Sequence, residues 1–257
     1  MQQNEHEADM LIHQLLDLGE AMLLAGAEID RVEDTLRRLG AAYGAERTNV
    51  FVITASIVMT LGFADKPEMT QTRRILAAGT TDFQKLERLN ALSRSVAAEP
   101  VPVEQLRDAV QSILRQKPPV WKAYLGSIIA AAGFALFFGG TGWDSLAAAA
   151  AAVLICLAQQ YLMPRLTSRL FFNFVCCVGV GVLVIALTSL FPALHEDIIM
   201  IGDIMLLIPG LLITSAARSM FLGDSISGLE KLVESLLLAA ADAVGFMLAI
   251  WMMGGVR

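Results

Sequence analysis

Residues 204–214 have the sequence IMLLIPGLLIT, which sets a Pro-Gly helix breaker inside an apolar run long enough to cross a membrane. A proline within a helix removes one backbone hydrogen bond and clashes with the preceding turn. In a bilayer the freed carbonyl group needs a partner in protein or in a wet cavity. Broken membrane helices often lie where a transporter binds its cargo, so Pro209 and Gly210 are candidate cargo-site residues. The alternative is a packing kink with a close helix contact through Gly210.

The charged residues divide the chain into two unlike parts. Residues 1–120 hold 13 Lys or Arg and 17 Asp or Glu, whereas residues 121–257 hold only 6 and 8. We therefore predict a small soluble domain over residues 1–117 and a transmembrane domain over residues 118–257. The net charge of −6 is spread over both parts, which argues against a nucleic-acid-binding protein. The acidic, polar start of the chain does not resemble a signal peptide, so we expect the soluble domain in the cytoplasm.

The second part contains five segments near the 20 apolar residues that a membrane-spanning helix needs. They are residues 121–140, 145–163, 170–191, 198–222 and 232–253. Lys and Arg flank alternate connections between them: Lys117 and Lys122 flank the start of the first span, Arg165 and Arg169 follow the second, and Arg218 and Lys231 flank the last connection. The positive-inside rule then predicts a multi-pass inner-membrane protein with its N-terminus in the cytoplasm and its C-terminus outside.

The first part has the pattern of a small α+β domain. Two helical stretches precede β-branched segments at 50–54 and 57–61, and a third strand is expected at 70–76 after a turn at Lys66-Pro67. Two more helices are predicted at 82–97 and 103–116, and Pro118-Pro119 is the predicted hinge into the first span. No nucleotide-binding loop, catalytic constellation or metal-ligand spacing stands out, so we predict no enzyme activity, no cofactor and no metal.

Four sequence segments resemble the signature of a known family. They are LLAGAEIDRVEDTLRRL at 23–39, VFVIT at 50–54, LIPG at 207–210 and GDSISGL at 223–229. In these segments the chain resembles the threonine/serine exporter family (ThrE). The resemblance implies a membrane transporter that uses the proton gradient to export small polar metabolites such as threonine and serine.

The number of spans refines this resemblance. Single-chain members of the family have about ten spans in two halves, whereas five are predicted here. The chain therefore resembles the large subunit of the split two-component form (YjjP-like), which is associated with export of dicarboxylates such as succinate. The resemblance implies a short membrane subunit as partner, a small-molecule cargo and the lipid bilayer as surroundings. It leaves a homo-oligomer open and implies no nucleic acid.

Two carboxyl groups lie within the predicted spans. Asp203 precedes the Pro-Gly break by about two helical turns, and Asp242 lies near the middle of the fifth span. Ionisable side chains at that depth are costly and usually mark a pathway or a pair. We hypothesise that one or both carry protons during export. The alternative for Asp203 is a position near the outer interface, where it caps or hydrates the helix.

Other polar residues are weaker site candidates. Arg218 has the geometry to contact a cargo carboxylate, or it sets the topology of the membrane helices. Asn173 either lines the route or forms a hydrogen bond between helices. Glu28, Arg31 and Glu33 carry the strongest part of the resemblance, which suggests a cytoplasmic gate or a docking site for the partner. Their alternative role is a solvated, salt-bridged helix surface.

Two other classes of function compete with transport. A membrane-anchored scaffold or sensor would use the spans only to hold the first domain at the membrane. A membrane-bound hydrolase is less favoured, because a pair of carboxylates needs an activating group that the sequence does not identify.

Overall fold

The computed structural model describes residues 2–64, 66–76, 81–116, 119–166 and 168–254, without the side chains of residues 2–7 and 66. The chain divides into two compact units, Met1–Lys117 and Pro118–Arg257, here called the N-terminal and the C-terminal unit. Pro118, half of the predicted hinge, lies outside the described residues.

The N-terminal unit combines four helices with a three-stranded antiparallel sheet. Its elements are α1 (Gln2–Leu24), α2 (Ile29–Ala42), β1 (Arg47–Ile53), β2 (Ser56–Phe63), β3 (Lys66–Arg74), α3 (Phe83–Ala98) and α4 (Val103–Arg115). The strands have the order β1-β2-β3. One apolar core joins the helices and the sheet through fully buried side chains such as Leu15, Leu36, Ile57 and Leu106. The predicted order of helices and strands is confirmed.

The prediction of a turn at Lys66-Pro67 is wrong. β3 already begins at Lys66, which pairs with Phe63 of β2, four residues before the predicted start of the strand. Proline lacks the backbone N–H that a central strand needs, but it is tolerated near the start of an edge strand. β3 is at the edge of the three-stranded sheet, so Pro67 fits there.

The C-terminal unit consists of helices joined by short connections, with no strand among its described residues. It comprises α5 (Val120–Phe137), α6 (Gly142–Tyr161), a 3-10 turn at Met163–Arg165, α7 (Arg169–Leu190), α8 (Glu196–Ile204), α9 (Gly210–Phe221) and α10 (Ser225–Gly254). Within the part described, four helices are long and apolar enough to cross a membrane, and α8 and α9 add a fifth candidate if they form one span with a 51° bend. α10 has 30 residues and begins seven positions before the predicted fifth span.

Contacts between the helices give their relative directions. Asn173 of α7 contacts Asp242 of α10, and further along both helices a Cβ added to Gly181 would meet Ala249. α7 and α10 therefore run parallel. Asn173 is near the start of α7, whereas Asp242 is 17 residues after the start of α10, so α10 begins beyond the level at which α7 starts. The chain between them therefore returns along the length of α7. α9 and α10 run antiparallel, since Lys231 contacts Ser215 in the hairpin that they form.

A buried carboxylate ties together two connections of the C-terminal unit. Asp144, at the start of α6, accepts hydrogen bonds from the backbone N–H and the hydroxyl of Thr141 at 2.8 and 2.7 Å. It also accepts one from the backbone N–H of His195 at 2.7 Å, and its Oδ2 lies 3.0 Å from His195 Nδ1. This cluster joins the α5–α6 turn to the α7–α8 connection. Its carboxylate is fully satisfied, so the role that these contacts show is structural.

Candidate functional site

Asp242 lies in a polar cluster between α7 and α10. Its side chain is 1% exposed, and Oδ1 accepts hydrogen bonds from Asn173 Nδ2 at 2.9 Å and from Cys177 Sγ at 3.4 Å. Asn173 and Cys177 are four residues apart, so they share one face of α7. Oδ2 of Asp242 is buried and has no hydrogen-bond partner among the described residues. The carboxyl group is thus held at one oxygen and unsatisfied at the other.

Small residues bring α7 and α10 close enough to form this cluster. A Cβ added to Gly245 would lie 2.7 Å from Cys177 Cβ and 2.8 Å from the carbonyl oxygen of Phe174. A Cβ added to Gly181 would lie 2.6 Å from Ala249 Cβ. Side chains larger than hydrogen would push the helices apart at both points. The glycines therefore set the separation at which Asn173 and Cys177 reach Asp242.

Asp203 is buried, and neither of its carboxylate oxygens has a hydrogen-bond partner in the described chain. The residue is 0% exposed. The preceding residue, Gly202, packs closely on α5, because an added Cβ would lie 3.0 Å from the carbonyl oxygen of Ala131. Leaving a buried polar group unpaired costs about 1–3 kcal/mol. The position of Asp203 in the interior differs from the hydrated cap at the outer interface that was its alternative.

The two aspartates lie on different helices of the C-terminal unit, Asp203 on α8 and Asp242 on α10. Both helices pack against α7. Arg169, one turn before Asn173, is within electrostatic range of Asp242. The candidate site residues therefore lie on α7, α8 and α10, with Asp203 and Asp242 as two buried carboxyl groups on helices that contact α7.

The helix break lies between α8 and α9 and is longer than the Pro-Gly pair. α8 ends at Ile204, and the backbone N–H groups of Leu207 and Ile208 both donate to the carbonyl oxygen of Ile204. Pro209 is buried and Gly210, the first residue of α9, is exposed. A Cβ added to Gly210 would meet no described atom within 4 Å, so the alternative of a close helix contact through Gly210 is wrong within the described chain. Gly202 makes such a contact instead.

The structure does not bring Arg218 to the aspartates. Arg218 is exposed in the last turn of α9, whose residue Ala216 packs against Gly228 of α10. Asp242 is 14 residues beyond Gly228, which is about 20 Å along a helix. Asn173 does form a hydrogen bond between helices, and its partner is the candidate site itself. Arg169 is the basic residue that comes closest to the role predicted for Arg218. The sequence pattern linked Arg169 only to the topology.

The three candidate residues of the N-terminal unit have different surroundings. Glu33 Oε1 accepts a hydrogen bond from the backbone N–H of Val52 at 2.9 Å, which ties α2 to β1. Arg31 is exposed on α2, and Glu28 is the residue that precedes this helix. Glu33 therefore has a structural contact, while Arg31 presents its charge to the surface.

Sequence reasoning missed the sulfur contact. Cys177 lies in the apolar run of the third predicted span and was not a candidate site residue, but its thiol donates to Asp242. The spacing of Asn173 and Cys177 shows only that they share a face, and nothing in the sequence links that face to residue 242. Among the described residues, no group of three or more His, Cys, Asp or Glu is arranged to hold a metal ion.

Comparison with known proteins gives consistent matches over nearly the whole chain. The profile of the family described as "Putative threonine/serine exporter" matches residues 13–253. The "Probable threonine/serine exporter" of Mycobacterium tuberculosis is 27% identical over 94% of this chain, which spans 47% of that relative. The "Probable succinate transporter subunit YjjP" of Klebsiella aerogenes is 24% identical over 99% of this chain and 98% of its own length. Its namesake in Escherichia coli is 25% identical over 93% of both chains. The chain thus spans about half the length of the first relative and almost all of the other two. No solved structure matches it.

Proposed function

Because the chain belongs to the threonine/serine exporter family, which is a family of transporters and not of enzymes, we propose that it forms part of a proton-driven exporter of small carboxylate-bearing metabolites. The observation that carries this proposal is the pair of buried aspartates, Asp203 on α8 and Asp242 on α10, two apolar helices that both pack against α7. Three of their four carboxylate oxygens have no hydrogen-bond partner among the described residues. Such groups are costly inside a membrane, and usually mark an ion or substrate pathway.

Asp242 and Asp203 are the proposed proton carriers. A carboxyl group that takes up a proton from one side and releases it to the other can couple proton entry to cargo exit. Asn173 and Cys177 orient Asp242 through Oδ1 and leave Oδ2 for the exchanging proton. Asp203, on the helix that ends at the break, would change its surroundings if α8 and α9 moved relative to α7. The break thus supplies a hinge beside one of the two carboxyl groups.

The proposed cargo class follows from what the named relatives share. One is named for threonine and serine, and two are named for succinate. All three metabolites carry a carboxylate, and all are small and polar. The alignment over 98% of a relative named as a succinate transporter subunit favours the dicarboxylate, whereas the threonine/serine relative is about twice as long as the aligned region. We therefore propose succinate as the first cargo to test and threonine and serine as the next.

Five membrane crossings are the proposed topology. The transporter family and the several apolar helices support a multi-pass protein of the inner membrane. The parallel packing of α7 and α10 supports a single crossing by α8 and α9 together, since a re-entrant pair would make α10 antiparallel to α7. An odd number of crossings places the two ends of the C-terminal unit on opposite faces. The Lys and Arg residues at alternate connections favour the N-terminal unit on the cytoplasmic side.

A partner subunit is the proposed source of the rest of the pathway. Two relatives are named as subunits, and the third is about twice as long as the part that this chain matches. Two five-span units in tandem must have opposite orientations, which is the inverted-repeat plan of many secondary transporters. We therefore expect this chain, expressed without a partner, to show no transport. Robust transport by the lone chain would contradict the half-transporter proposal.

Export is tested in inside-out membrane vesicles from the native host, where the chain has its natural membrane partners. Vesicles with the wild-type gene, with the gene deleted and with the gene restored would be compared for uptake of labelled succinate, threonine and serine under an imposed proton gradient. We expect gene-dependent uptake of at least one cargo and its loss with a proton uncoupler. If uptake of all three is the same without the gene, the exporter proposal is wrong for these cargoes, and a scaffold or sensor becomes the better account.

A further inference from the structure

A second polar cluster lies between α9 and α10, away from the buried aspartates. The two helices approach closely at Gly228, where an added Cβ would lie 2.6 Å from Met220 Cγ and 3.1 Å from the carbonyl oxygen of Ala216. Lys231 follows Gly228 by three residues. Its Nζ donates hydrogen bonds to Ser215 Oγ at 3.2 Å and to Ser219 Oγ at 3.1 Å. The lysine is thus held inside the hairpin by two hydroxyl groups of α9.

The charge of Lys231 is not neutralised by these contacts. The side chain is half-buried, and the described residues place no carboxylate in ion-pair contact with it. Glu230 and Glu234, the acidic residues nearest in sequence, are exposed on α10. An ammonium group has three N–H donors, of which the two serines use two. One N–H remains available, together with the positive charge.

The serine hydroxyls add further donors at the same place. A hydroxyl that accepts a hydrogen bond keeps its own O–H for another acceptor. No acceptor for either hydroxyl hydrogen is found within the described chain. One turn earlier on the same face of α10, Ser227 is fully buried and its Oγ also lacks a partner among the described residues. The hairpin therefore holds one cation and several unsatisfied hydroxyl donors. It also holds one unsatisfied acceptor, the buried Oδ2 of Asp224, which lies seven residues before Lys231 beside Ser227.

We propose that Lys231, Ser215 and Ser219 form a subsite that binds a carboxylate group of the cargo before it reaches the buried aspartates. This inference rests on the proposed function, because it takes the cargo class from there. An ammonium group flanked by two hydroxyls offers a carboxylate one charge-assisted hydrogen bond and two neutral ones. Asp242 lies 11 residues after Lys231 on the same helix, about 16 Å further along. Under the proposed topology, the subsite lies on the cytoplasmic side of the aspartates, where an exported anion enters.

The subsite assigns to Lys231 a role that the exposed Arg218 was predicted to fill. A lysine that only sets the topology extends its ammonium group into the headgroup region and depends on charge alone. Lys231 instead donates to two side chains of the neighbouring helix. The serines distinguish the two roles, because their hydroxyls are needed to bind a carboxylate and are not needed for topology.

The test uses three variants in the inside-out vesicles described above, with labelled succinate outside, on the cytoplasmic face. Lys231→Met removes the cation and keeps an unbranched side chain of similar length, and the double variant S215A/S219A removes only the hydroxyls. Lys122→Met is the matched control, because it removes an exposed lysine from the start of α5, where no serine pair holds it. We expect the KM for succinate to rise about tenfold or more in Lys231→Met, to rise severalfold in S215A/S219A and to stay unchanged in the control.

Binding measured without transport separates this inference from the proposed function. The protein purified from native membranes with its partners would be titrated with labelled succinate at equilibrium. Weaker binding in Lys231→Met and S215A/S219A than in the wild type and the control supports the subsite, even if transport fails. A wild type that neither binds nor transports succinate, threonine or serine contradicts both proposals. A wild type that transports while both variants keep its KM and affinity overturns the subsite alone. The double variant covers the case in which Lys231→Met does not fold.

Discussion

Asp144 and Asp203 are both fully buried carboxyl groups of the C-terminal unit, but their hydrogen bonding differs completely. Asp144 has three hydrogen-bond donors and His195 Nδ1 around it, whereas Asp203 has no partner among the described residues. We expect Asp144→Asn to lower the free energy of unfolding by about 2 kcal/mol, because its new NH₂ group faces donors. Asp203→Asn breaks no hydrogen bond, so its unfolding temperature in detergent should stay close to that of the wild type. Equal destabilisation by the two variants would contradict the assignment of Asp203 as a functional group.

Variants of Glu33 and Arg31 distinguish a structural role of these residues from a role as a cytoplasmic gate. We expect Glu33→Ala to destabilise the N-terminal unit by about 1 kcal/mol, because the N–H of Val52 loses its acceptor. Arg31→Ala, at an exposed position of the same helix, should leave stability unchanged. Urea unfolding of the full-length protein, monitored through a signal from the N-terminal unit, measures the stability of both variants. Loss of export in both variants without loss of stability would favour the gate or docking role instead.

At the residue scale, the sequence predicts which groups are unusual but not what they touch. An aspartate within an apolar span stands out by its type, so Asp203 and Asp242 were both predicted as site residues. The partners of Asp242 could not be predicted, because Asn173 and Cys177 are 69 and 65 residues away along the chain. Lys231 was used only for topology, since its serine contacts depend on how α9 folds back on α10.

The helical elements show how a glycine's role depends on its neighbours. Gly245 packs against Cys177 and Phe174, whereas Gly210 has open space around its Cα. We expect Gly245→Ala to cost about 1–3 kcal/mol and to disturb the Asp242 cluster, because α7 and α10 must separate. Gly210→Ala should leave stability unchanged or raise it slightly, because alanine favours the helix that begins there. Thermal unfolding of both variants in detergent tests this, and a larger loss in Gly210→Ala would contradict the packing described here.

At the element scale, hydrophobic length and helix breakers predict most of the secondary structure. The four unbroken spans and the break at residues 209–210 follow from local sequence. The start of β3 and the early start of α10 do not follow from local sequence. Pro67 is tolerated in β3 only because this strand is at the edge of the sheet, and α10 begins early because its first turns pack on α9. The sequence also cannot choose between Gly210 and Gly202 as the packing glycine, because that choice depends on where α5 lies.

At the scale of the whole molecule, the direction of α10 decides the topology. If α8 and α9 together cross the membrane once and the N-terminal unit is cytoplasmic, as proposed, α10 ends outside. A reporter enzyme that is active only outside the cytoplasm, fused after residue 257, should then be active. The same reporter fused in the α6–α7 connection, between Arg165 and Arg169, should be inactive and serves as the control. An inactive C-terminal fusion of normal abundance would indicate a re-entrant α8–α9 pair and an even number of crossings.

The buried carboxyl groups are proposed to couple proton movement to export. The most direct test of this coupling is the pH dependence of gene-dependent cargo uptake into inside-out vesicles, compared between the wild type and Asp242→Asn. Asparagine keeps the size of the side chain and can still accept from Asn173, but it cannot exchange a proton near neutral pH. We predict that Asp242→Asn loses uptake driven by the proton gradient while it remains in the membrane at wild-type abundance. Uptake in Asp242→Asn that keeps the wild-type rate and the wild-type pH dependence would contradict this proposal.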